Sequence, residues 1–121
     1  MKVRRLLTLV LTLGLVLALS LPAQAADLTY EVSGGKLYFD ATTGTITRAD
    51  ETVTEANIPA EIYGVTVTAI GDYAFNQHKE LVSVTIPSTV TTIGRQAFGA
   101  CSSLEQVVLP DSVTSLGQGV F

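Results

Sequence analysis

Residues 81–104 read LVSVTIPSTVTTIGRQAFGACSSL, and their pattern recurs at a spacing of 23 residues in both directions. The recurring residues are mostly apolar, and glycine, proline and phenylalanine recur with them. They form the columns Ile70–Ile93–Leu116, Gly71–Gly94–Gly117, Phe75–Phe98–Phe121, Leu81–Leu104, Val84–Val107, Ile86–Leu109, Pro87–Pro110 and Val90–Val113. A fixed period of about 20 to 50 residues is typical of stacked units that are each too small to bury an apolar face alone. The sequence therefore predicts a solenoid.

A less regular unit precedes this one. Its apolar residues and proline are offset by 28 residues rather than 23, so that Val53, Ala56, Ile58 and Pro59 correspond to Leu81, Val84, Ile86 and Pro87. The five extra residues lie between Pro59 and Val67, and we predict a longer turn there around Tyr63-Gly64.

Each repeated residue type has a physical role in a stacked coil. Leu, Val and Ile at the first, fourth and sixth positions of L-x-x-V-x-I point inward from a short strand, and Val90/Val113 with Ile93/Leu116 form a second inward row. Proline ends the strand because it lacks a backbone donor. The repeated glycine marks a backbone that a side chain would obstruct. Ala97-Phe98 fits a tight helical turn whose ring fills the centre of the coil.

The N-terminus has the pattern of a secretory signal peptide. Three basic residues precede the apolar run Leu6–Leu21, and Ala23-Gln24-Ala25 follows as a small-residue cleavage pattern. We expect a signal peptide at residues 1–25 with cleavage after Ala25. An uncleaved membrane anchor is the alternative, but the run of 16 residues is shorter than the roughly 20 that span a bilayer.

Three β-prone stretches, Leu28–Val32, Lys36–Phe39 and Thr45–Thr47, are separated by glycine-containing turns. This pattern predicts a short antiparallel meander. A solenoid needs its open end covered, so we expect the meander to cap the stack. We therefore predict a cap at residues 26–52 and a repeat stack at residues 53–121, whose last repeat is incomplete.

The charge balance restricts the partners. The chain after Ala25 carries four basic and eleven acidic residues, a net charge of −7. Such a surface disfavours nucleic acid and anionic membranes, and we expect no membrane insertion once the signal is removed. Cys101 is the only cysteine, so no internal disulfide supports the fold.

The repeat resembles the bacterial surface-antigen, or BspA-type, leucine-rich repeats over Val53–Phe121. The run I-P-x-x-V-x-x-I-G-x-x-A-F-x-x-C-x-x-L of that family is matched by Ile86-Pro87, Val90, Ile93-Gly94, Ala97-Phe98, Cys101 and Leu104. The resemblance implies a curved, mainly β leucine-rich-repeat solenoid, with a short strand and a turn or short helical turn in each coil. It also implies a secreted or cell-surface protein that binds extracellular or host molecules, often as an adhesin.

Two features depart from the family pattern. His78 occupies the position one repeat before Cys101, where the family has cysteine, and the sequence stops at Phe121 within a repeat. Because repeat arrays need a polar end to stay soluble, we expect further repeats or domains beyond Phe121, or another chain that covers this end.

The outward strand positions are the candidate binding residues, because solenoids bind ligands on such extended faces. They are the third and fifth places of L-x-x-V-x-I, namely Glu55, Asn57, Ser83, Thr85, Gln106 and Val108. The alternative is that these residues only keep the sheet soluble and β-prone.

No catalytic residue, metal ligand or cofactor is predicted. His78 and Cys101 are 23 residues apart and should be neighbours on adjacent coils, as a base and nucleophile could be. In a repeat this proximity follows from the fold alone, so we interpret both as packing residues. Asp40, Asp50 and Glu51 lie around the Gly44 turn, but their spacing is not that of a calcium loop, and we interpret them as solvated turn residues.

The favoured hypothesis is a non-enzymatic, secreted or surface-displayed module that recognises an extracellular or host protein or a glycan. Two alternatives stay open. The repeats could be a noncatalytic region of a larger secreted enzyme, or a structural spacer in a surface protein.

Overall fold

The structure is a computed structural model that describes residues 27–121, so the predicted signal peptide lies outside the described residues. Within that range the chain forms eleven short strands and no helix. The strands are β1 (Asp27–Val32), β2 (Gly35–Asp40), β3 (Thr45–Ala49), β4 (Glu55–Asn57), β5 (Glu61–Ile62), β6 (Val65–Thr66), β7 (Ala69–Ile70), β8 (Ser83–Thr85), β9 (Thr92–Ile93), β10 (Gln106–Val108) and β11 (Ser115–Leu116). They build a solenoid of three coils, which we number as coil 1 (residues 53–80), coil 2 (81–103) and coil 3 (104–121).

The predicted meander is present. β1 pairs antiparallel with β2, and β2 pairs antiparallel with β3. β3 then pairs in parallel with β7, which places Ile46 opposite Ile70. The meander is therefore continuous with a sheet of the stack, and Ile46 extends the column of isoleucines that the repeat predicts.

Two parallel ladders hold the coils together, as the 23-residue period predicts. The first has the strand order β10-β8-β4, and the second continues the meander as β3-β7-β9-β11. Backbone bonds also cross between coils beside the strands: Val82 N–H donates to the Thr54 carbonyl, and Glu105 N–H donates to the Val82 carbonyl, both at 2.8 Å. Each coil thus satisfies polar backbone groups of its neighbour.

The interior contains the repeated apolar residues. Phe75 and Phe98 are buried, and their rings stack at 5.0 Å between centroids, while Phe98 and Phe121 stack at 5.6 Å. Leu109 and Leu116, which we expected to point inward with their repeat partners, are exposed. The reason is that coil 3 has a neighbouring coil on only one side within the described residues.

The expected helical turn at Ala97-Phe98 is wrong. Gln96 and Ala100 on either side have positive φ angles of 48° and 58°, and Tyr73 and Gln77 in coil 1 have 60° and 61°. An isolated residue in this left-handed region ends a helical path. The segment is therefore a series of tight turns that still places Phe98 inside the coil.

In coils 2 and 3 the repeated glycine is needed for the steric reason that we predicted, because neighbouring backbone leaves no room for a side chain. A Cβ atom at Gly94 would lie 2.7 Å from the carbonyl carbon of Gly71, and one at Gly117 would lie 2.6 Å from the carbonyl carbon of Gly94. Successive glycines stack backbone against backbone, so a side chain would push the coils apart.

The five extra residues of coil 1 belong to a small hairpin, and the longer turn that we predicted around Tyr63-Gly64 is its tip. β5 and β6 pair antiparallel, with Glu61 opposite Thr66 and Ile62 opposite Val65. Tyr63 and Gly64 form its two-residue tip with φ angles of 50° and 82°. Two successive positive φ angles are typical of a type I′ hairpin turn. We call residues 60–67 the insertion hairpin.

Candidate functional site

The six candidate binding residues lie on one surface, the outer face of β4, β8 and β10, which we call the strand face. Parallel register places Glu55 opposite Ser83 and Ser83 opposite Gln106. A second column joins Asn57, Thr85 and Val108 in the same way. All six are exposed except Ser83, which is partly buried.

The strand face forms because the middle residue of each three-residue strand is apolar and faces the interior. The middle residues Ala56 and Val84 are buried, and Val107 packs against the core. Successive side chains of a strand point to opposite sides, so the residues on either side of these three must point outward. The sequence pattern therefore determines the face as well as the core.

Carboxylates dominate the surroundings of the strand face. Glu61, Glu80, Glu105 and Asp111 are exposed in the segments that flank its strands, and Lys79 is the basic residue there. Together with Glu55 they make the strand face and the segments next to it in sequence predominantly acidic.

The insertion hairpin carries an aromatic residue that our sequence analysis did not select as a site residue. Tyr63 is 76% exposed at the hairpin tip, whereas Ile62 beside it is buried and fixes the hairpin to coil 1. A signal existed in the sequence, because Tyr63-Gly64 occupies a turn position where asparagine or glycine is usual.

His78 and Cys101 do not have the geometry of a catalytic pair. The His78 ring is buried, with Nε2 at 2.8 Å from the Ala49 carbonyl oxygen and Nδ1 at 3.0 Å from the Asn76 carbonyl oxygen. The Cys101 thiol donates to the Phe75 carbonyl at 3.0 Å. Both side chains are thus engaged by backbone oxygens, which agrees with a packing role.

The electrostatics of Cys101 also oppose activation as a nucleophile. Burial raises the pKa of the Cys101 thiol, and this effect exceeds the lowering by a backbone hydrogen bond from His78 and by the charge of Lys79. Reactive cysteines have lowered pKa values, because the thiolate is the nucleophile. The surroundings of Cys101 favour the neutral thiol.

The carboxylates around the Gly44 turn are separated by the length of a hairpin. Asp40 accepts bonds from the Thr42 hydroxyl at 2.6 Å and the Thr42 N–H at 2.9 Å, which lower the pKa of Asp40. Asp50 lies at the other end and accepts bonds from the Tyr38 hydroxyl and the Lys36 N–H. Among residues 27–121, no group of three or more His, Cys, Asp or Glu side chains is placed to hold a metal ion.

Two open depressions lie on the surface of the described residues. One of about 350 Å³ lies at the last coil and includes Phe98, Cys101, Leu104 and Phe121 among its lining residues. The other, of about 540 Å³, lies between the meander and coil 1 and includes Arg48 and Tyr73. Within this described part of the chain, no helix has the length and hydropathy needed to traverse a bilayer.

The chain matches a protein-family model. The model described as BspA type leucine rich repeat region (6 copies) matches residues 50–121. This range contains all six residues of the strand face and the whole insertion hairpin. No curated protein matches the chain.

Several solved structures are similar to the chain. A leucine-rich repeat protein from Bacteroides capillosus is 33% identical with a TM-score of 0.58, over 74% of this chain and 71% of that one. A leucine-rich cell surface protein from Faecalibacterium prausnitzii is also 33% identical, with a TM-score of 0.58, over 78% of this chain and 27% of that one. The leucine-rich repeat protein of T. pallidum is 27% identical with a TM-score of 0.57, over 79% of this chain and 42% of that one. The chain therefore spans less than half of the T. pallidum and F. prausnitzii proteins.

Proposed function

This chain belongs to the BspA-type leucine-rich repeat family, and from that premise we propose that it is a secreted or cell-surface binding module. Its ligand is an extracellular or host protein or a glycan, bound on the strand face without a cofactor. The cell-surface description of the F. prausnitzii relative and the predicted signal peptide both support this location.

One observation supports the binding role most directly. The two columns of the strand face place Glu55, Asn57, Thr85, Gln106 and Val108 in exposed positions on a regular parallel sheet. The sheet spaces neighbouring side chains of a column by about 4.8 Å, and its backbone is held by bonds between coils. A partner can therefore contact several coils at once on a preorganised surface, which reduces the entropic cost of binding.

The test begins with ligands that bind the purified chain. We would screen a glycan array and a panel of extracellular-matrix and mucin proteins, and then measure the Kd of each ligand for a Ser83→Lys/Gln106→Lys double variant. Two long cationic side chains in adjacent positions of one column would obstruct the face. We expect the Kd to rise about tenfold or more, equivalent to roughly 1.4 kcal/mol of binding free energy.

The matched control changes the other ladder. Thr92 and Ser115 are exposed and lie opposite each other in β9 and β11, as Ser83 and Gln106 do in β8 and β10. A Thr92→Lys/Ser115→Lys variant adds the same charge and should retain the wild-type Kd. Equal loss in the two double variants would show a general charge effect, and unchanged binding in both would remove the strand face as the site.

A further inference from the structure

We propose that the insertion hairpin and the strand face form one docking surface for an extended, arginine- or lysine-rich protein segment, with Tyr63 as its aromatic anchor. This inference rests on the proposed binding function and narrows it to a class of partner and a specific contact residue.

The insertion hairpin is not needed to close a coil. Coil 2 turns after its strand with a bond from Val90 N–H to the Pro87 carbonyl, and coil 3 does the same with Val113 and Pro110, at 3.1 and 3.3 Å. In coil 1 the corresponding residue, Val67, donates to the Ala60 carbonyl at 2.8 Å, and β5 and β6 lie between these two residues. The fold thus makes the same turn twice without the extra residues. Insertions in repeat proteins are often found on the binding side.

The exposure of Tyr63 also indicates a role outside the fold. Its φ angle of 50° lies in the left-handed region that disfavours a bulky side chain. The ring is 76% exposed, so its packing within the described residues contributes little stabilising energy to offset the cost of this backbone conformation. The type I′ turn accounts for this φ angle, so the exposed aromatic side chain, at a position where asparagine or glycine is usual, is what points to a partner.

The hairpin is placed to extend the strand face. Parallel strands end at a common edge, where Asn57, Thr85 and Val108 are aligned. The chain leaves this edge after Asn57 and enters the hairpin at Glu61, while buried Ile62 fixes its base. A rigid aromatic residue at the edge of a flat polar face is typical of a binding anchor, because tyrosine contributes large contact area at low entropic cost.

Charge selects the partner. The strand face and its flanking segments expose Glu55, Glu61, Glu80, Glu105 and Asp111, against one basic residue, Lys79. A cationic segment gains Coulomb attraction from these carboxylates. Its guanidinium or ammonium groups also bind favourably over a tyrosine ring. An acidic partner would be repelled.

The experiment follows amide NMR signals of the purified chain during titration with an extended arginine-rich peptide. A matched peptide with glutamine in place of every arginine is the neutral probe. We expect the arginine peptide to shift signals of Glu61, Tyr63, Gly64, Thr85 and Val108, and the glutamine peptide to bind at least about tenfold more weakly. Tyr63→Ala should weaken binding of the arginine peptide by about tenfold.

Tyr73→Ala is the matched control, because Tyr73 is also exposed and also has a positive φ angle, but lies on the turn side of coil 1. It should bind as the wild type does. Equal effects of the two tyrosine variants, shifts spread over acidic residues away from this surface, or equal binding of both peptides would overturn the proposal.

The outcomes also separate this inference from the broader one. One outcome is a ligand that no longer binds the Ser83→Lys/Gln106→Lys variant but binds Tyr63→Ala normally. Another is a neutral glycan that binds the strand face. Either outcome would support the proposed binding module and contradict the docking surface for a basic segment. Loss of the arginine peptide in Tyr63→Ala, with the glutamine peptide weak throughout, supports both.

Discussion

Coils 2 and 3 have nearly the same repeat sequence but very different burial. Phe98 in coil 2 is 1% exposed, and its repeat partner Phe121 in coil 3 is 61% exposed. Ile93 and Leu116 differ in the same way, at 0% and 54%. The residues are equivalent, so the difference comes from their neighbours: coil 2 is covered by coils 1 and 3, and coil 3 is covered by coil 2 alone in the described residues.

This difference shows that a repeat residue contributes to stability mainly through the coils on either side of it. In a solenoid, each unit contacts only its neighbours. The same substitution should therefore have a large effect in coil 2 and a small one in coil 3, and three experiments test this in order of decreasing size.

The largest effect is expected for the phenylalanine column. Phe98→Ala removes a buried ring that stacks against Phe75 and Phe121, and should lower the free energy of unfolding by about 3–5 kcal/mol. Phe121→Ala removes a ring that is mostly exposed and should cost less than ~1 kcal/mol, because little apolar area is lost from the interior. Urea denaturation monitored by circular dichroism measures both.

The comparison would fail if the two phenylalanine variants lost similar stability. A Phe98→Ala loss below ~1 kcal/mol would count against the stacked core itself. Phe98→Leu provides a milder control, since it retains an apolar side chain at the coil centre and should cost less than Phe98→Ala.

A smaller effect is expected for the glycine column. A Cβ at Gly94 would lie 2.5 Å from the backbone nitrogen of Asp72, whereas the nearest atoms to a Cβ at Gly71 are 3.3 Å away. Backbone atoms cannot rotate aside, so Gly94→Ala should cost about 1–3 kcal/mol and Gly71→Ala should cost less. Thermal unfolding measures the difference.

Gly117→Ala is a second test of the difference between coils 2 and 3. Its Cβ would also meet backbone atoms, at 2.7 Å from the Cα of Arg95. Coil 3 can shift outward more easily than coil 2, because it is covered on one side, so we expect a smaller loss than for Gly94→Ala. A larger loss in Gly117→Ala would contradict this view of coil 3.

Most of the fold could be predicted from the sequence because the period fixes which residues stack. The inward columns, the ladder register and the turn at Tyr63-Gly64 all follow from spacing. The turns around Phe98 could not be predicted, since the left-handed residues Gln96 and Ala100 are types that give no local signal for that conformation. The exposure of Leu116 was also missed, because burial depends on the adjacent coil rather than on the residue.

The sequence was sufficient to predict where the six candidate residues lie in the fold. Alternation along the strands is enough to place Asn57, Thr85 and Gln106 on the outer face. The exposure of Tyr63, on which its proposed role depends, became visible only with the hairpin geometry. The contact of His78 with the Ala49 carbonyl joins residues that no repeat spacing relates. Whether the strand face binds a ligand stays a prediction.

The smallest effect is expected at Cys101, a free cysteine beside Phe121 at the last coil. Burial raises the pKa of its thiol, so a smaller fraction of the thiol is ionised in the folded chain than in the unfolded chain. The folded thiol should therefore react more slowly with iodoacetamide at pH 8 than it does in urea. Phe121→Ala uncovers the same depression and should raise the folded-state rate several-fold at most, because the Phe75 carbonyl still accepts a hydrogen bond from the thiol. A folded Cys101 that reacts as fast as the unfolded one would show that coil 3 does not cover coil 2 in solution. Coil 2 would then be the exposed end of the stack, and the buried coil to compare with it would be coil 1.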